Sequence, residues 1–274
     1  MRFDPTIVSL SSRLLKVGYN LKGGDAEKYK LLKFTIGYSD VPNCICFYKE
    51  QTYNSENVAL TQAITNNKST DKNTITVFDR GITSRANYDK LTDNNILYIS
   101  RIDPNAKRTI DKQNKLKANV DNDTLTIVSD SRVYLYTMHN KRSKHAVRII
   151  AAIKKADGEN ITFITNINNI KVKEVTQIYK SRWQIEVFFK FIKQHLNFSH
   201  LLNRSENGIK VVMYITMIAC ILLEQYKKVN NIKGYKIAKK RFAQDLERDI
   251  IYHIAILCGA SPLKAKSMLY KKPP

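Results

Sequence analysis

Short apolar runs alternate with helix-period segments through the first hundred residues. Phe3–Leu10 reads as a strand, and Leu31–Tyr38 and Asn43–Tyr48 as two more. The last two are joined by a tight turn around Asp40-Val41-Pro42 and form a hairpin. Val58–Ile64 opens a helix, with Ser55 or Asn57 available as its cap. Thr74–Phe78 is a short apolar strand that ends at Asp79; Gly81 punctuates, Ser84–Leu91 is a short helix, and Ile96–Ser100 is a further strand. Three strands followed by βαβ units predict an α/β fold with a sheet of mixed direction.

The pattern changes after Asp103. Residues 104–122 are polar and mixed in charge. Four β-branched runs follow: Thr124–Val128, Val133–Thr137, Val147–Ile153 and Ile161–Thr165, a small antiparallel unit. From Lys173 one long helix is expected to about Leu196, then helices over roughly Glu206–Val229 and Tyr235–Leu257. The expected division is 1–103 for the first part of a core, 104–165 for a β-rich insertion, 166–200 for the returning core helix, and 201–274 for a helical end.

Charge narrows the partner. Among 274 residues, 46 Lys and Arg stand against 24 Asp and Glu, a net of +22. Residues 171–274 hold 20 Lys and Arg and 7 Asp and Glu, a net of +13. Such an excess fits a polyanion, nucleic acid being the commonest, although Lys-rich surfaces also serve solubility. The basic stretch Asn140–Arg148 includes Lys141 and Arg142, and reads equally as a solvated hairpin face or a DNA-contacting loop.

Other classes find little support. The longest apolar run, Val211–Leu223, is shorter than the ~20 residues a bilayer needs, which predicts a buried helix and no membrane partner. No signal peptide is visible, and Cys44, Cys46, Cys220 and Cys258 lack C-x-x-C spacing, which favours buried free thiols in a cytoplasmic protein. There is no P-loop, no G-x-S-x-G elbow and no H-E-x-x-H.

The chemistry concentrates between Tyr179 and Lys193. On a helix advancing ~100° per residue, Tyr179, Arg182, Lys190 and Lys193 all fall within ~40° of Glu186. Ile178, Ile185, Phe189, Ile192 and Leu196 form an apolar stripe beside them, and Trp183 is expected to pack. Ordinary i,i+4 ion pairs account for Arg182–Glu186 and Glu186–Lys190. The cluster also suits a metal-dependent phosphoryl-transfer site, which needs further carboxylates from other elements. Asp79, at the end of an apolar strand before Arg80, is one candidate, though an Asp there can also cap a turn. Asp4, inside the first strand, is another; a charge near a frayed terminus is the plainer account.

These residues resemble a family. The spacing Y-x2-R-x3-E-x6-K at Tyr179, Arg182, Glu186 and Lys193 resembles the YREK signature of bacterial insertion-sequence transposases of the subgroup numbered four. A chance match to four fixed positions is on the order of one in 10⁵ per start site. D-x-T at Asp4, D-R-G at Asp79 and R-W-x-I-E at Arg182–Glu186 follow in the family's order, and the resemblance covers essentially the whole chain.

The resemblance implies an RNase H-like core with a β-strand insertion and C-terminal helices; the 107 residues from Asp79 to Glu186 leave room for that insertion. It implies that Asp4, Asp79 and Glu186 form a DDE triad holding two Mg²⁺, with Mn²⁺ able to substitute. Tyr179, Arg182 and Lys193 would contact phosphates of the transposon end, with Lys190, Arg80, Lys141 and Arg142 as further DNA contacts. The expected reaction is cleavage of transposon-end DNA and strand transfer, with double-stranded DNA as partner and a homodimer on paired ends. Family members carry a helical DNA-binding region before the first Asp, so the chain is expected to be a catalytic core without it. A catalytically silent DNA-binding remnant is the alternative, and an RNA-associated protein a third reading from charge alone. Pro5 is unusual in a strand expected to be central.

Overall fold

The computed structural model describes residues 1–10, 19–20, 30–48, 55–114, 123–137, 139–196 and 205–270. Among the described residues ten strands form one sheet: β1 (Arg2–Leu10), β2 (Tyr19–Asn20), β3 (Lys30–Tyr38), β4 (Pro42–Phe47), β5 (Ile75–Val77), β6 (Leu97–Arg101), β7 (Arg108–Gln113), β8 (Leu125–Leu135), β9 (Val147–Lys154) and β10 (Asn160–Thr165). Their order is β2-β3-β1-β5-β6-β10-β9-β8-β7, with β4 paired to β3. The helices are α1 (Glu56–Asn66), α2 (Arg85–Asp93), α3 (Val172–Lys180), α4 (Trp183–His195), α5 (Glu206–Val229), α6 (Tyr235–Leu257) and α7 (Pro262–Leu269). The mixed α/β class and the β3–β4 hairpin agree with the sequence pattern; Asp40 turns that hairpin at φ 65°, a left-handed conformation Asp tolerates.

Strand alternation decides which helices each face receives. Phe34, Ile36 and Tyr38 of β3 point to one face and are buried with Ile185, Phe188 and Ile192 of α4 and with Met213 and Cys220 of α5. Phe3 of β1 points to the other face and is buried with Leu60 and Ile64 of α1 and Tyr88 and Leu91 of α2. Three strands, β1, β5 and β6, run parallel at the centre, and antiparallel pairs extend the sheet on both sides. β1 pairs with β5 at Arg2 alone. By Pro5 its β5 side carries no ladder, which is how a strand inside the sheet order accommodates proline.

The structure departs from the sequence pattern at several points. The runs 124–128 and 133–137 belong to one strand, β8, which continues through Ser129-Asp130-Ser131-Arg132 with an irregularity between Ile127 and Ser129. β8, β9 and β10 extend the central sheet through β10 and β6. The expected helix 173–196 is two helices with a break at Ser181-Arg182. Both residues keep right-handed backbone angles, but Arg182, Gln184 and Ile185 donate to carbonyls three residues back, and the Ser181 hydroxyl donates to the Ile178 carbonyl at 2.6 Å. Tighter i,i+3 bonding and a serine bonding back to its own turn end α3 and restart the chain as α4.

Helix α5 is buried along one face only. Met213, Met217, Cys220 and Leu223 are inside, whereas Val211, Tyr214, Ile215 and Ile218 are about half exposed. At 24 residues it is longer than the apolar run, and it is the one helix among the described residues long and apolar enough to cross a membrane by length and composition. Of the four cysteines, Cys220 is buried, Cys44 and Cys46 are half-buried, and Cys258 is exposed, so the expectation of buried thiols fails at Cys258.

Candidate active site

The sheet register sets two carboxylates side by side. Arg2 of β1 is level with Val77 of the parallel strand β5. Two residues further along each chain stand Asp4 and Asp79, so neighbouring segments, ~4.8 Å apart where strands pair, carry acids at one height. Asp4 pairs with Ile36, and Ile36 faces α4. On α4, Ile185, Phe188 and Ile192 are fully buried and anchor the helix, leaving Glu186 half-buried at the edge of the packed face.

The break between α3 and α4 brings in the remaining groups. The Tyr179 hydroxyl donates to Asp79 Oδ1 at 2.9 Å. One terminal nitrogen of Arg182 donates to Glu186 Oε1 at 2.5 Å and lies 4.0 Å from Asp79 Oδ2. The Arg182 side chain is 12% exposed, and its Nε is buried with no hydrogen-bond partner. Arg2 Nε donates to the Ser181 hydroxyl at 3.3 Å, tying β1 to the break itself.

The two aspartates have opposite electrostatics. Burial pushes the Asp4 carboxyl up to about 7; the Arg182 guanidinium pulls it down, and the charges of Glu56, Glu186 and Asp79 repel it further. Burial would raise Asp79 too, but the Tyr179 hydroxyl, the Arg182 guanidinium, the Arg80 backbone N–H and Arg101 outweigh it and hold Asp79 below the ordinary range. Burial and the neighbouring Asp79 anion raise the Tyr179 phenol, so it stays a hydrogen-bond donor.

These shifts predict how the metal-free protein responds to pH. Asp4 binds its proton more tightly in the folded chain than in the unfolded one. Its contribution is therefore fully present below pH ~4 and is lost as pH rises through about 7. Thermal melts in EDTA should show this decline between pH 4 and 7, and Asp4→Asn should flatten it. An equal decline in the variant would assign the effect to another group.

The other expected site residues divide into two sets. Arg80 is exposed beside Asp79. Lys190 is exposed on α4, and Lys193 is half-buried with its Nζ 6.0 Å from the Phe189 ring centroid. Lys141 and Arg142 line a separate cleft of about 670 Å³ against α2, with Arg85, Lys90 and Lys144, and no member of the carboxylate set lines it. The Arg142 guanidinium sits 4.5 Å from the centroid of the Tyr134 ring. Trp183 is 64% exposed, which corrects the expectation that it packs; it begins α4 one residue after the break, where its predicted angular position no longer holds. Two residues at the site were not singled out from the sequence: Arg101 at the end of β6, whose Nε is also buried and unpartnered, and Glu56 at the start of α1. Arg101 could have been found by the strand-end reasoning that selected Asp79.

Asp4, Asp79 and Glu186 offer only hard carboxylate oxygens, a donor set suited to a divalent cation of the magnesium or manganese type. As they stand, no three acidic, histidine or cysteine side chains among the described residues converge tightly enough to hold a metal. Arg182 supplies positive charge among them instead. Asp4 is half-buried, with the charges of Arg182, Glu56, Glu186 and Asp79 acting on it.

A mixed α/β domain with one carboxylate inside β1, one just past the end of its parallel neighbour β5 and one on a helix packed beside them is compatible with divalent-metal phosphoryl transfer. Comparison with known proteins is more specific: the transposase DDE domain family matches residues 3–223, and the chain belongs to that family. It is 28% identical over 156 residues to y4zB of Sinorhizobium fredii, named as a transposase, covering 57% of this chain and 43% of that protein. It is 25% identical over 227 residues to a Synechocystis protein named as the transposase for insertion sequence element IS4SA, covering 81% of this chain and 58% of that one. A Geobacillus stearothermophilus protein named as the transposase for IS5377 is 26% identical over 168 residues, covering 60% and 43%. The chain thus spans about half the length of the curated relatives it matches.

Proposed function

We propose that this chain is the catalytic core of a DNA transposase that cuts the ends of a mobile element and joins them to target DNA. In this reading the fold is RNase H-like, β7–β10 are its insertion, and α3 and α4 return the chain to the core. What supports it is the Arg2–Val77 register, from which Asp4 and Asp79 each follow by two residues, with Glu186 linked to Asp79 through Arg182. Asp4, Asp79 and Glu186 would hold two Mg²⁺, or Mn²⁺ in their place. Bound there, the ions supply activation of a water or DNA 3′-hydroxyl and stabilisation of the leaving oxygen.

The chain's own residues prepare this chemistry. Tyr179 orients Asp79 and, with Arg182, keeps it anionic. Arg182 carries a planar fork suited to a phosphate as well as to Glu186, so it can exchange one anion for the other when DNA arrives. Lys190, Lys193 and Arg80 extend the positive surface around the cleft, and Lys141 and Arg142 offer a second contact from the insertion. Two copies on paired ends would assemble the complete reaction.

The test is cleavage of a labelled duplex bearing the element's own terminal repeats. Nicking at the repeat boundary should require Mg²⁺ or Mn²⁺ and stop in EDTA. Binding should weaken steeply with salt, since phosphate contacts dominate. Salt-sensitive binding without cleavage under any divalent cation would favour the silent-remnant reading and defeat this one.

A further inference from the structure

Glu56 lies at the same cleft and is not among the three family carboxylates. It is the first residue of α1, after the N-cap Ser55, and its side chain is exposed. A carboxylate in the first turn of a helix ordinarily complements the helix dipole, which stabilises by ~0.3–1 kcal/mol. That account explains the residue type but not where the carboxylate goes. A Cβ built on Gly81 would stand 2.3 Å from Glu56 Oε1 and 2.8 Å from its carboxyl carbon. The acid therefore lies directly over the backbone two residues beyond Asp79.

Gly81 strengthens the point. Its φ lies outside the left-handed region, so no turn geometry demands glycine there. What the missing side chain leaves is room for Glu56. The sequence D-R-G thus supplies the site twice, with a carboxylate at Asp79 and with space for another at Gly81. The arrangement is also closed in three dimensions. Asp4 and Asp79 lie along the sheet, Glu186 comes from α4 on one face, and Glu56 comes from α1 on the other. Glu56 thus stands beside the segment that carries Asp79, which with Glu186 is reached by the Arg182 guanidinium. Among the described residues no hydrogen bond or ion pair holds the Glu56 carboxylate, although its charge acts on the buried Lys33.

We propose that Glu56 is a fourth carboxylate of the divalent-cation site, reached across Gly81 from the sheet face opposite Glu186. The inference rests on the reading of Asp4, Asp79 and Glu186 as the metal-binding set. Its role is to bind the cation, directly or through a coordinated water, and Gly81 is its positioning residue.

Calorimetric titration of the full chain with Mn²⁺, without DNA, tests this. Glu56→Gln should weaken Mn²⁺ binding about tenfold, within the range for residues that support a metal site, and should shrink the Mn²⁺-induced rise in Tm. Its Tm in EDTA should stay close to wild type, since the relieved repulsion of Asp4 offsets the lost attractions to the helix N-terminus and to Lys33. Glu56→Asp should recover part of the affinity. Gly81→Ala should reproduce part of the loss with Glu56 intact, because the added Cβ displaces the flexible carboxylate and no backbone. Mn²⁺ affinity within twofold of wild type in Glu56→Gln overturns the inference, as does a loss of affinity matched by an equal loss of Tm in EDTA. Glu186→Gln separates the two levels: if it weakens binding while Glu56→Gln does not, only the role of Glu56 falls. If both are silent, the triad falls with it.

Discussion

Asp79→Asn should lower the single-turnover rate of metal-dependent nicking by at least ~10³-fold, a loss of ~4 kcal/mol of transition-state stabilisation. The substitution is nearly isosteric. The amide oxygen can still accept from Tyr179, so the geometry at the end of β5 is kept and the charge alone is lost. That charge is the point, because Asp79 is the aspartate held ionised by Tyr179 and Arg182, whereas Asp4 is the one pushed toward its neutral form. A cation entering the cleft would therefore meet Asp79 as its most dependable anion. Glu186→Gln should give a comparable loss and also free Arg182, whose 2.5 Å ion pair it removes. DNA affinity should stay within about twofold in both variants, or rise slightly, since each removes a negative charge facing the phosphates. Anisotropy titrations and nicking assays on one labelled duplex would measure both quantities. Nicking that persists in both variants would end the transposase reading, and binding lost with nicking would mean that the variants had misfolded.

What the sequence made legible followed the strength of its periodicity. The β3–β4 hairpin, α1, β5, α5 and α6 are close to where the pattern puts them, because each has a clear apolar face and turn residues at its ends. The break at Ser181-Arg182 was hidden for a physical reason: both residues remain right-handed, so nothing in the pattern marks a change from i,i+4 to i,i+3 bonding. β7 was missed because Arg108–Gln113 is an edge strand that is exposed almost throughout, so its pattern carries no buried side. The middle of β8 was missed because its buried residues there are polar.

The candidate site shows the same division. Asp79 was legible because a carboxylate at the end of an apolar strand points into the crevice where α/β proteins bind ligands, although a turn-capping Asp looks the same in the sequence. Tyr179 and Arg182 reach the cleft, although the single helix used to group them with Glu186 does not exist; the break brings Tyr179 to Asp79 across 100 residues. Glu56 was illegible because a Glu opening a helix already has a sufficient local explanation. Only the closeness of its carboxylate to Gly81 separates the two accounts.

Arg148→Ala should destabilise the fold by ~3–5 kcal/mol, a large part of the ~5–15 kcal/mol typical of a domain. Arg148 on β9 and Asp130 on β8 are diagonal neighbours, since Asp130 pairs with Ile150 and Arg148 with Arg132; their side chains are 7% and 6% exposed. Arg148 Nε donates to Asp130 Oδ1 at 2.9 Å and its terminal nitrogen to Oδ2 at 2.7 Å, a bidentate fork. The other terminal nitrogen donates to the carbonyls of Asn168 and Ile170, just before α3. Deleting the guanidinium would leave a buried carboxylate with, among the described residues, only Asn114 as a side-chain donor, at 3.0 Å, and two carbonyls without their partner. The desolvation cost of that orphaned charge, more than the lost attraction, sets the magnitude. Arg148→Lys should recover only part of the loss, because an ammonium cannot match the fork. A paired Asp130→Leu and Arg148→Met variant should be less damaging than Arg148→Ala, since no unpaired charge remains. Urea denaturation midpoints at constant m-value would measure the series. The consequence reaches the cleft, because the segment that Arg148 holds leads into α3 and so fixes where Tyr179 stands. A loss below ~1 kcal/mol for Arg148→Ala would mean that solvent reaches Asp130, and that the polar middle of β8 is not the buried knot described for it.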